Sequence, residues 1–330
     1  MANVKKINWL LILQGWAMLW VVIGHANLEQ LGSGPSWETG LVKFAYSFHM
    51  PLFMFVSGWL FYLTRLNNKN GIGKRWTYIN IIKDKVIRLL LPGVVFSIFA
   101  FILKSFFQEE MARQTGFSFV EIIHAYIYPA DNPFREIWFI VTLFAFFLLT
   151  PVWRLLIKQK CRMLVGLIVM ILFYYYHPTT QFLCIDCIFR YSIWFYLGLI
   201  TSKEELIEEF LKNQPLLILL LGIIVYIVGL FLDSFLTIIG GITLSLGLAL
   251  LADVHVPLLF TEFRNYTYQI FLMGIFVQIA VKILYRHVAM PYVGAFLLCI
   301  LVGLYLPVLF SKIIEKINWK PLSLCVGIKI

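Results

Sequence analysis

The sequence predicts an all-α protein, a polytopic transmembrane bundle of about ten helices with both termini in the cytoplasm. Three observations predict it. Hydrophobic residues make up 61% of the chain and charged residues only 13%, whereas soluble domains carry about 25% charged residues. Apolar runs of about 17 to 25 residues, long enough to cross a bilayer, recur along the chain. Lys and Arg are unevenly divided among the segments between these runs.

Ten apolar runs are present, and we expect each to form a membrane-spanning helix. The first has no small-residue cleavage site, so we expect it to be a retained span and not a signal peptide. The expected spans are about 8–28, 41–64, 86–107, 136–157, 162–177, 184–201, 215–232, 235–253, 265–286 and 292–314.

The charges between the runs favour a cytoplasmic N-terminus and, with an even number of spans, a cytoplasmic C-terminus. In that orientation 20 of the 27 Lys and Arg residues lie on the cytoplasmic side, where membrane proteins carry an excess of positive charge. Topology then explains the formal net charge of +10. Nucleic acid is therefore not an expected partner.

Two histidines within the first two runs predict a catalytic site, because ionisable side chains inside a membrane are rare and usually functional. His25 lies near the end of the first run, and His49 lies about two helical turns into the second. Both rings are therefore expected in the outer half of the bilayer. Pro51 deprives the Ser47 carbonyl of its helical partner, which is tolerated where a cavity or a neighbouring helix satisfies that carbonyl. The alternative for each histidine is a satisfied interior group.

Gln14 and His25 are expected on one face of the first helix, because 11 residues turn a helix by about 1100°, close to three full turns. Their axial separation would be about 16 Å. With Ala17 and Val21 between them, this face could line a channel for a slender ligand. It could equally be a helix interface, where small residues allow close approach and polar side chains bond across helices.

A basic stretch, Lys83, Lys85 and Arg88, precedes the third span at its cytoplasmic end. One interpretation is an anchor to acidic lipid. The other is an anion site, because several Lys and Arg side chains can converge on the phosphates of one ligand.

Charged and aromatic residues open two spans on the outer side: Glu136 and Trp138 open the fourth, and Arg190 and Trp194 the sixth. Tryptophans at this depth usually belong to the aromatic belt of a membrane protein. A carbohydrate site is the alternative, because rings stack on sugar C–H faces and charged groups bond hydroxyls.

The cysteines do not predict a metal site. Cys184 and Cys187 have CxxC spacing, but no second pair completes a four-ligand set. We interpret the pair as a packing feature or an outer-face disulfide.

Five motifs in order give the chain its likeness to a known family. They are VVIGH (Val21 to His25), FHMPLFMFVSG (Phe48 to Gly58), RLLLP (Arg88 to Pro92), IWFIVTLF (Ile137 to Phe144) and FYLG (Phe195 to Gly198). With these motifs and its ten-helix plan, the chain resembles the integral membrane acyltransferase family 3 over its full length, and within it the branch of fucose 4-O-acetylase-like proteins.

The resemblance implies a membrane O-acetyltransferase that forms a single domain over residues 1–330 of a multi-pass inner (cytoplasmic) membrane protein. Such proteins move an acyl group, usually acetyl from cytoplasmic acetyl-CoA, onto a hydroxyl of an extracytoplasmic or lipid-linked glycan. His25 then corresponds to the family's proposed catalytic residue, and we expect His49 to orient it or to polarise the thioester. The donor's phosphates are expected near the basic stretch and its pantetheine arm near Gln14. The acceptor is expected near the four residues that open the fourth and sixth spans.

The chain departs from the family pattern at two positions. Family members usually carry Arg eleven residues before the histidine, where this chain has Gln14. Either another cation, such as Lys85 or Arg88, takes its place, or donor binding differs. In the ninth span, Gly274 stands where the family pattern ends in a histidine.

Two other functions stay open at this point. One is a transporter or flippase in which the histidines relay protons or bind a polar cargo. The other is a non-catalytic member of the fold. The expected partners are acetyl-CoA as donor substrate, a glycan or lipid-linked sugar, the lipid bilayer and, if the chain self-associates, a second copy in a homodimer; no bound cofactor or metal is expected.

Overall fold

The computed structural model describes residues 7–29, 34–67, 77–106 and 118–328. Within these residues the chain forms fifteen α-helices and no strand. Two π-helical turns lengthen the helices beside them: Tyr62–Leu66 continues α2, and Val86–Leu90 joins α3 to α4. The α-helices are α1 (Asn8–Gly24), α2 (Ser36–Phe61), α3 (Tyr78–Lys85), α4 (Leu91–Phe106), α5 (Phe119–Ile127), α6 (Ile137–Leu148), α7 (Thr150–Leu156), α8 (Lys160–Tyr175), α9 (Ile185–Lys203), α10 (Glu205–Asn213), α11 (Pro215–Leu232), α12 (Ser234–His255), α13 (Thr267–His287), α14 (Tyr292–Ile317) and α15 (Lys320–Cys325).

Seven helical stretches of the described chain are long and apolar enough to cross a membrane, or eight if the bent pair α6 and α7 is one span. The other two predicted spans coincide with shorter helices, α1 of 17 residues and α8 of 16. At 1.5 Å per residue, α1 is about 25 Å long, slightly less than a hydrocarbon core of about 30 Å. The all-α class is confirmed for the described residues, whereas ten crossings and cytoplasmic termini remain predictions.

The fourth predicted span is bent by 58° between α6 and α7. Pro151 has no N–H to donate to the Phe147 carbonyl one turn earlier. The Thr150 hydroxyl donates to that carbonyl instead, at 2.5 Å. A side chain therefore replaces the missing backbone bond, and the helix changes direction at this point.

The helices form two compact units, each assembled from two segments of the chain. The first unit comprises Met1–Leu63 and Thr201–Lys312, and the second comprises Thr64–Ile200 and Ile313–Ile330. Both histidines of interest belong to the first unit. The basic stretch and the four predicted acceptor residues belong to the second.

In the first unit, α1 and α2 pack against each other and against α12. The Trp16 indole nitrogen donates to the Ser245 hydroxyl at 3.1 Å, which joins α1 to α12. A side chain at Gly241 would collide with the Phe48 ring, so this glycine lets α12 approach α2 at the residue before His49. Both α1, which ends directly before His25, and α2, which contains His49, are therefore fixed on α12.

The closest helix packing in the first unit joins α11 to α12, an antiparallel hairpin with only Asp233 between its helices. Gly222 and Gly229 of α11, and Gly240 and Gly247 of α12, lie seven residues apart in each helix. A Cβ at any of the four would meet backbone atoms of the other helix. Small residues at such spacing let two membrane helices touch along their backbones.

In the second unit, α4 and α6 pack at Gly93, where an added Cβ would lie 2.8 Å from a methyl group of Ile140. Buried Ser97 donates to the Asn132 side chain at 3.0 Å, which ties α4 to the turn before α6. The rings of Trp153 and Tyr196 stack at 5.8 Å between centroids and join α7 to α9.

Candidate active site

His25 lies directly after the last residue of α1, and its ring is half-buried. The sequence predicts a helix through residue 28, but the last helical residue is Gly24. The ring nitrogen Nδ1 lies 2.8 Å from the Val21 carbonyl oxygen, which also accepts the His25 backbone N–H at 3.1 Å. One carbonyl therefore holds both the backbone and the side chain of His25 at the helix end.

His49 lies inside α2 and is only 1% exposed. Its Nδ1 lies 2.6 Å from the Ala45 carbonyl oxygen, one turn earlier. In the same helix the Ser47 hydroxyl donates to the Phe44 carbonyl at 2.7 Å and lies 3.0 Å from the Tyr226 hydroxyl of α11. The His49 ring is thus bonded within α2, and the Ser47 hydroxyl is bonded both within α2 and to α11.

Tyr46 brings the two histidines to one place. Its ring centroid lies 5.8 Å from that of His25 and 5.1 Å from that of His49. The tyrosine is 48% exposed, whereas His49 is enclosed. A molecule entering at Tyr46 would therefore meet His25 first, with His49 behind the tyrosine ring.

Both imidazoles have the same protonation pattern. A carbonyl oxygen can only accept a hydrogen bond, so Nδ1 of each ring carries a proton. In the neutral rings the lone pair then lies on Nε2. The arrangement fixes the tautomer of both rings, each with an acceptor lone pair on Nε2, and His25 is the more accessible of the two.

Gln278 of α13 fixes the end of α1 from the other side. Its amide nitrogen donates to the Val22 carbonyl at 2.8 Å, and the side chain is 1% exposed. This carbonyl is one of the last four of the helix, which have no intrahelical partner. Gly303 of α14 makes room for the amide, because a Cβ there would lie 3.0 Å from the Gln278 side chain. The turn that positions His25 is thus completed by α13 and α14.

A buried carboxylate holds the chain just after His25. Glu38, 3% exposed, accepts the Leu28 backbone N–H at 3.3 Å and the Tyr292 hydroxyl at 2.6 Å. These bonds link the segment after α1 to the first turns of α2 and α14. His25 is therefore held from both directions along the chain.

The side chain of Arg264 packs along α1. Gln14 itself is half-buried, and a Cβ on Gly15 would lie 3.2 Å from the Cβ of Arg264. Arg264 is 7% exposed, and its guanidinium donates to Asn8 at 2.8 Å and to the carbonyls of Pro257 and Leu259. In the first unit, Arg264 thus supplies a positive charge at the start of α1. That Lys85 or Arg88 takes the place of the family arginine stays a prediction.

The basic stretch in the second unit is divided among different surroundings. Asp84 accepts from Arg65 at 2.7 Å and from Arg88 at 3.0 Å. The Lys85 ammonium lies 4.0 Å from the centroid of the Phe147 ring, and Lys83 is exposed. Of the four predicted donor-binding residues, Gln14, Lys83, Lys85 and Arg88, only Arg88 lines the cavity of about 210 Å³ in the second unit.

The predicted acceptor residues differ in accessibility. Trp138 lies 5.2 Å from Tyr191 between ring centroids, and both side chains are half-buried. Glu136 is half-buried at the start of α6, and Arg190 is exposed on α9. Trp194 is 1% exposed and packs on Tyr174, so a sugar could reach it only after a rearrangement.

The cysteine pair belongs to the second unit. Cys184 and Cys187 are free thiols. No group of three or more His, Cys, Asp or Glu side chains that could hold a metal occurs in the described part of the chain.

Sequence reasoning missed Tyr46, Gln278 and Arg264. Tyr46 precedes His49 by three residues and so lies on the same face of α2, which was the available signal. Gln278 is a polar residue inside an apolar run, the pattern that singled out the histidines. Nothing in the sequence links Arg264 to the first helix, because that contact joins residues far apart in the chain.

The family model Acyl_transf_3, described as an acyltransferase domain, matches residues 7–312. No curated protein and no solved structure matches the chain. The matched range covers the helices that carry His25, His49, Gln278 and the basic stretch, and on this match the chain belongs to acyltransferase family 3.

Proposed function

We propose that this chain is an O-acetyltransferase of the inner (cytoplasmic) membrane that transfers acetyl from cytoplasmic acetyl-CoA to a hydroxyl of an extracytoplasmic or lipid-linked glycan. The observation that carries the proposal is the pair of imidazoles on the Tyr46 ring, each with Nδ1 bonded to a carbonyl and the lone pair on Nε2. Family membership supplies the reaction class, and the acceptor class is proposed from the resemblance of the sequence to the fucose 4-O-acetylase-like branch.

The roles of the two histidines follow from their exposure. Nε2 of half-buried His25 takes the proton of the acceptor hydroxyl as its oxygen attacks the thioester carbonyl. The C–S bond breaks, and the proton passes from His25 to the leaving CoA thiolate. A neutral imidazole suits this exchange, because it can take up a proton at Nε2 and return it in the next step. Enclosed His49 acts through Tyr46 and positions the site.

The basic stretch supports a cytoplasmic donor site in the second unit. Arg88 lines a cavity. The Asp84 carboxylate binds both Arg65 and Arg88 and so holds the two side chains in place. Phosphates of acetyl-CoA would add the negative charge that this cluster lacks. The acceptor would bind near Trp138, Glu136 and Arg190, where rings and charges are accessible.

Membrane vesicles with the cytoplasmic face outward test the proposal. Acetyl-CoA labelled in its acetyl group is added outside, and the label is followed into the enclosed glycan. Label in the glycan supports the acetyltransferase. Passage of an unmodified cargo would instead indicate a transporter. If no label is transferred and no cargo passes, the chain is a non-catalytic member of the fold.

Gln278→Met should lower kcat about tenfold and leave KM for acetyl-CoA almost unchanged. Methionine matches the length of glutamine but cannot donate to the Val22 carbonyl. Leaving a buried polar group unpaired costs about 1–3 kcal/mol, and a loss of 1.36 kcal/mol in the transition state is a tenfold loss of rate. Steady-state kinetics on Gln278→Met and on Gln269→Met, another buried glutamine of α13, measure the effect. An equal fall in both variants would show general damage to α13 and would contradict a positioning role.

A further inference from the structure

The cavity at Arg88 has a second wall that the sequence did not indicate. It measures about 210 Å³ and lies entirely within the second unit. One wall comes from α3 and the π-helical turn before α4. The other comes from α15 and the residues after it, namely Lys320, Leu324, Gly327 and Ile328.

A turn after α15 brings the second wall into place. Gly327 has a φ of 70°, a conformation in which glycine is favoured. The Ile328 N–H then donates to the Ser323 carbonyl at 2.8 Å, as at many helix ends. Ile328 is only 7% exposed as a result. The segment from Lys320 to Ile328 is therefore folded against the unit, and it follows the last residue matched by the family model.

The charges around the cavity favour an anion. Both oxygens of Asp84 are bound, one by Arg65 and the other by Arg88. Arg88 uses only Nε for this bond, so its two terminal amino groups can donate to a ligand. Lys320 adds a third cation and forms no ion pair with any described residue. Two cations thus already pair with the Asp84 carboxylate, and Lys320 adds a further positive charge to the lining of the cavity.

We propose that Lys320 and Arg88 together bind a phosphate group of the acyl-CoA donor in this cavity, with the segment Lys320 to Ile328 as its second wall. The inference rests on the proposed function, which supplies the donor. A planar guanidinium and a mobile ammonium on opposite walls match a tetrahedral phosphate, which accepts hydrogen bonds in several directions. A cavity of about 210 Å³ is large enough for a phosphate or diphosphate and too small for the whole donor.

Direct binding of CoA to the purified full chain tests the proposal without any acceptor. Lys320→Ala should weaken CoA about three- to tenfold, and Lys320→Glu should weaken it further, because the first removes and the second inverts one charge at the phosphate. Lys316→Ala is the matched control, since Lys316 is an exposed lysine four residues earlier that does not line the cavity. It should change the affinity less than twofold.

CoA and 3′-dephospho-CoA, titrated in parallel, identify the phosphate that is bound. If Lys320→Ala weakens only CoA, the cavity holds the 3′-phosphate; if it weakens both, the cavity holds the diphosphate. Either result supports the proposal. Unchanged affinity of both Lys320 variants for both ligands would overturn it.

An anionic lipid could offer the same phosphate chemistry, so the titrations are repeated in nanodiscs of phosphatidylcholine with and without phosphatidylglycerol. Loss of bound phosphatidylglycerol in Lys320→Ala, with CoA binding unchanged, would assign the cavity to lipid and overturn the proposal. Failure of the acetyltransferase function looks different. In that case the wild-type chain binds CoA through Lys320 but puts no label into glycan.

Discussion

His25→Ala should lower the rate of acetyl transfer by about 10²- to 10⁴-fold, the usual contribution of a general base. Alanine removes the lone pair that takes the proton of the acceptor hydroxyl, and the other imidazole beside Tyr46, that of His49, is only 1% exposed. The backbone around position 25 should keep its course, because the Val21 and Val22 carbonyls accept bonds from backbone and from Gln278. We therefore expect a folded, inserted and inactive protein.

Label transfer in vesicles, corrected for the amount of inserted protein, measures this loss. His255→Ala is the matched control, because His255 is an exposed histidine at the end of α12, away from the site. Its rate should equal that of the wild type. If His25→Ala keeps a rate within about threefold of the control, the loss is smaller than a general base contributes. That result would show that His25 is not the general base.

Gly240→Val should destabilise the first unit severely, by about 1–3 kcal/mol or more, as overpacked cores do. An added Cβ would lie 2.8 Å from the Cβ of Tyr226 and closer still to backbone atoms of that residue. A backbone cannot rotate away as a side chain can, so α11 and α12 would have to separate. That separation would also disturb the contact of Gly241 with Phe48, next to His49.

Thermal unfolding in detergent, followed by size-exclusion chromatography, measures the cost. Gly294→Ala provides the control, because nothing lies within 4 Å of a Cβ at that position of α14. The control should unfold at the wild-type temperature, whereas Gly240→Val should unfold at a lower temperature or fail to give a monodisperse peak. Identical unfolding of Gly240→Val and wild type would show that the two helices are not in backbone contact.

The positions of the helices were largely predictable, because a bilayer demands long apolar segments and these are visible as runs of residues. Each of the ten predicted runs coincides with a helix or a helix pair. The end of α1 at Gly24 was not predictable, because the apolar run continues past it while the capping bond comes from Gln278, more than 250 residues away. The bend at Pro151 had its signal in the proline, but the angle depends on packing.

Within the candidate site, the two histidines could be identified from the sequence because an ionisable side chain in an apolar run costs free energy in a membrane. In the structure both rings contact Tyr46. The roles of the charged residues were harder to predict, because the sequence around a lysine does not show which groups its ammonium contacts in the folded protein. Lys85 lies over Phe147, an interaction between a cation and an aromatic ring that needs the folded unit. The heptad spacing of glycines in α11 and α12 was a usable signal for the hairpin that sequence reasoning did not use.

The one-residue connection at Asp233 has a consequence for the order of assembly during synthesis. With no loop to close, α12 pairs with α11 as soon as both have left the ribosome. The histidine helices α1 and α2 are made some 200 residues earlier, yet their packing surface is α12. We therefore expect α1 and α2 to gain their Trp16 and Phe48 contacts only after the hairpin is made, and the turn at His25 to be completed later still, by α13 and α14.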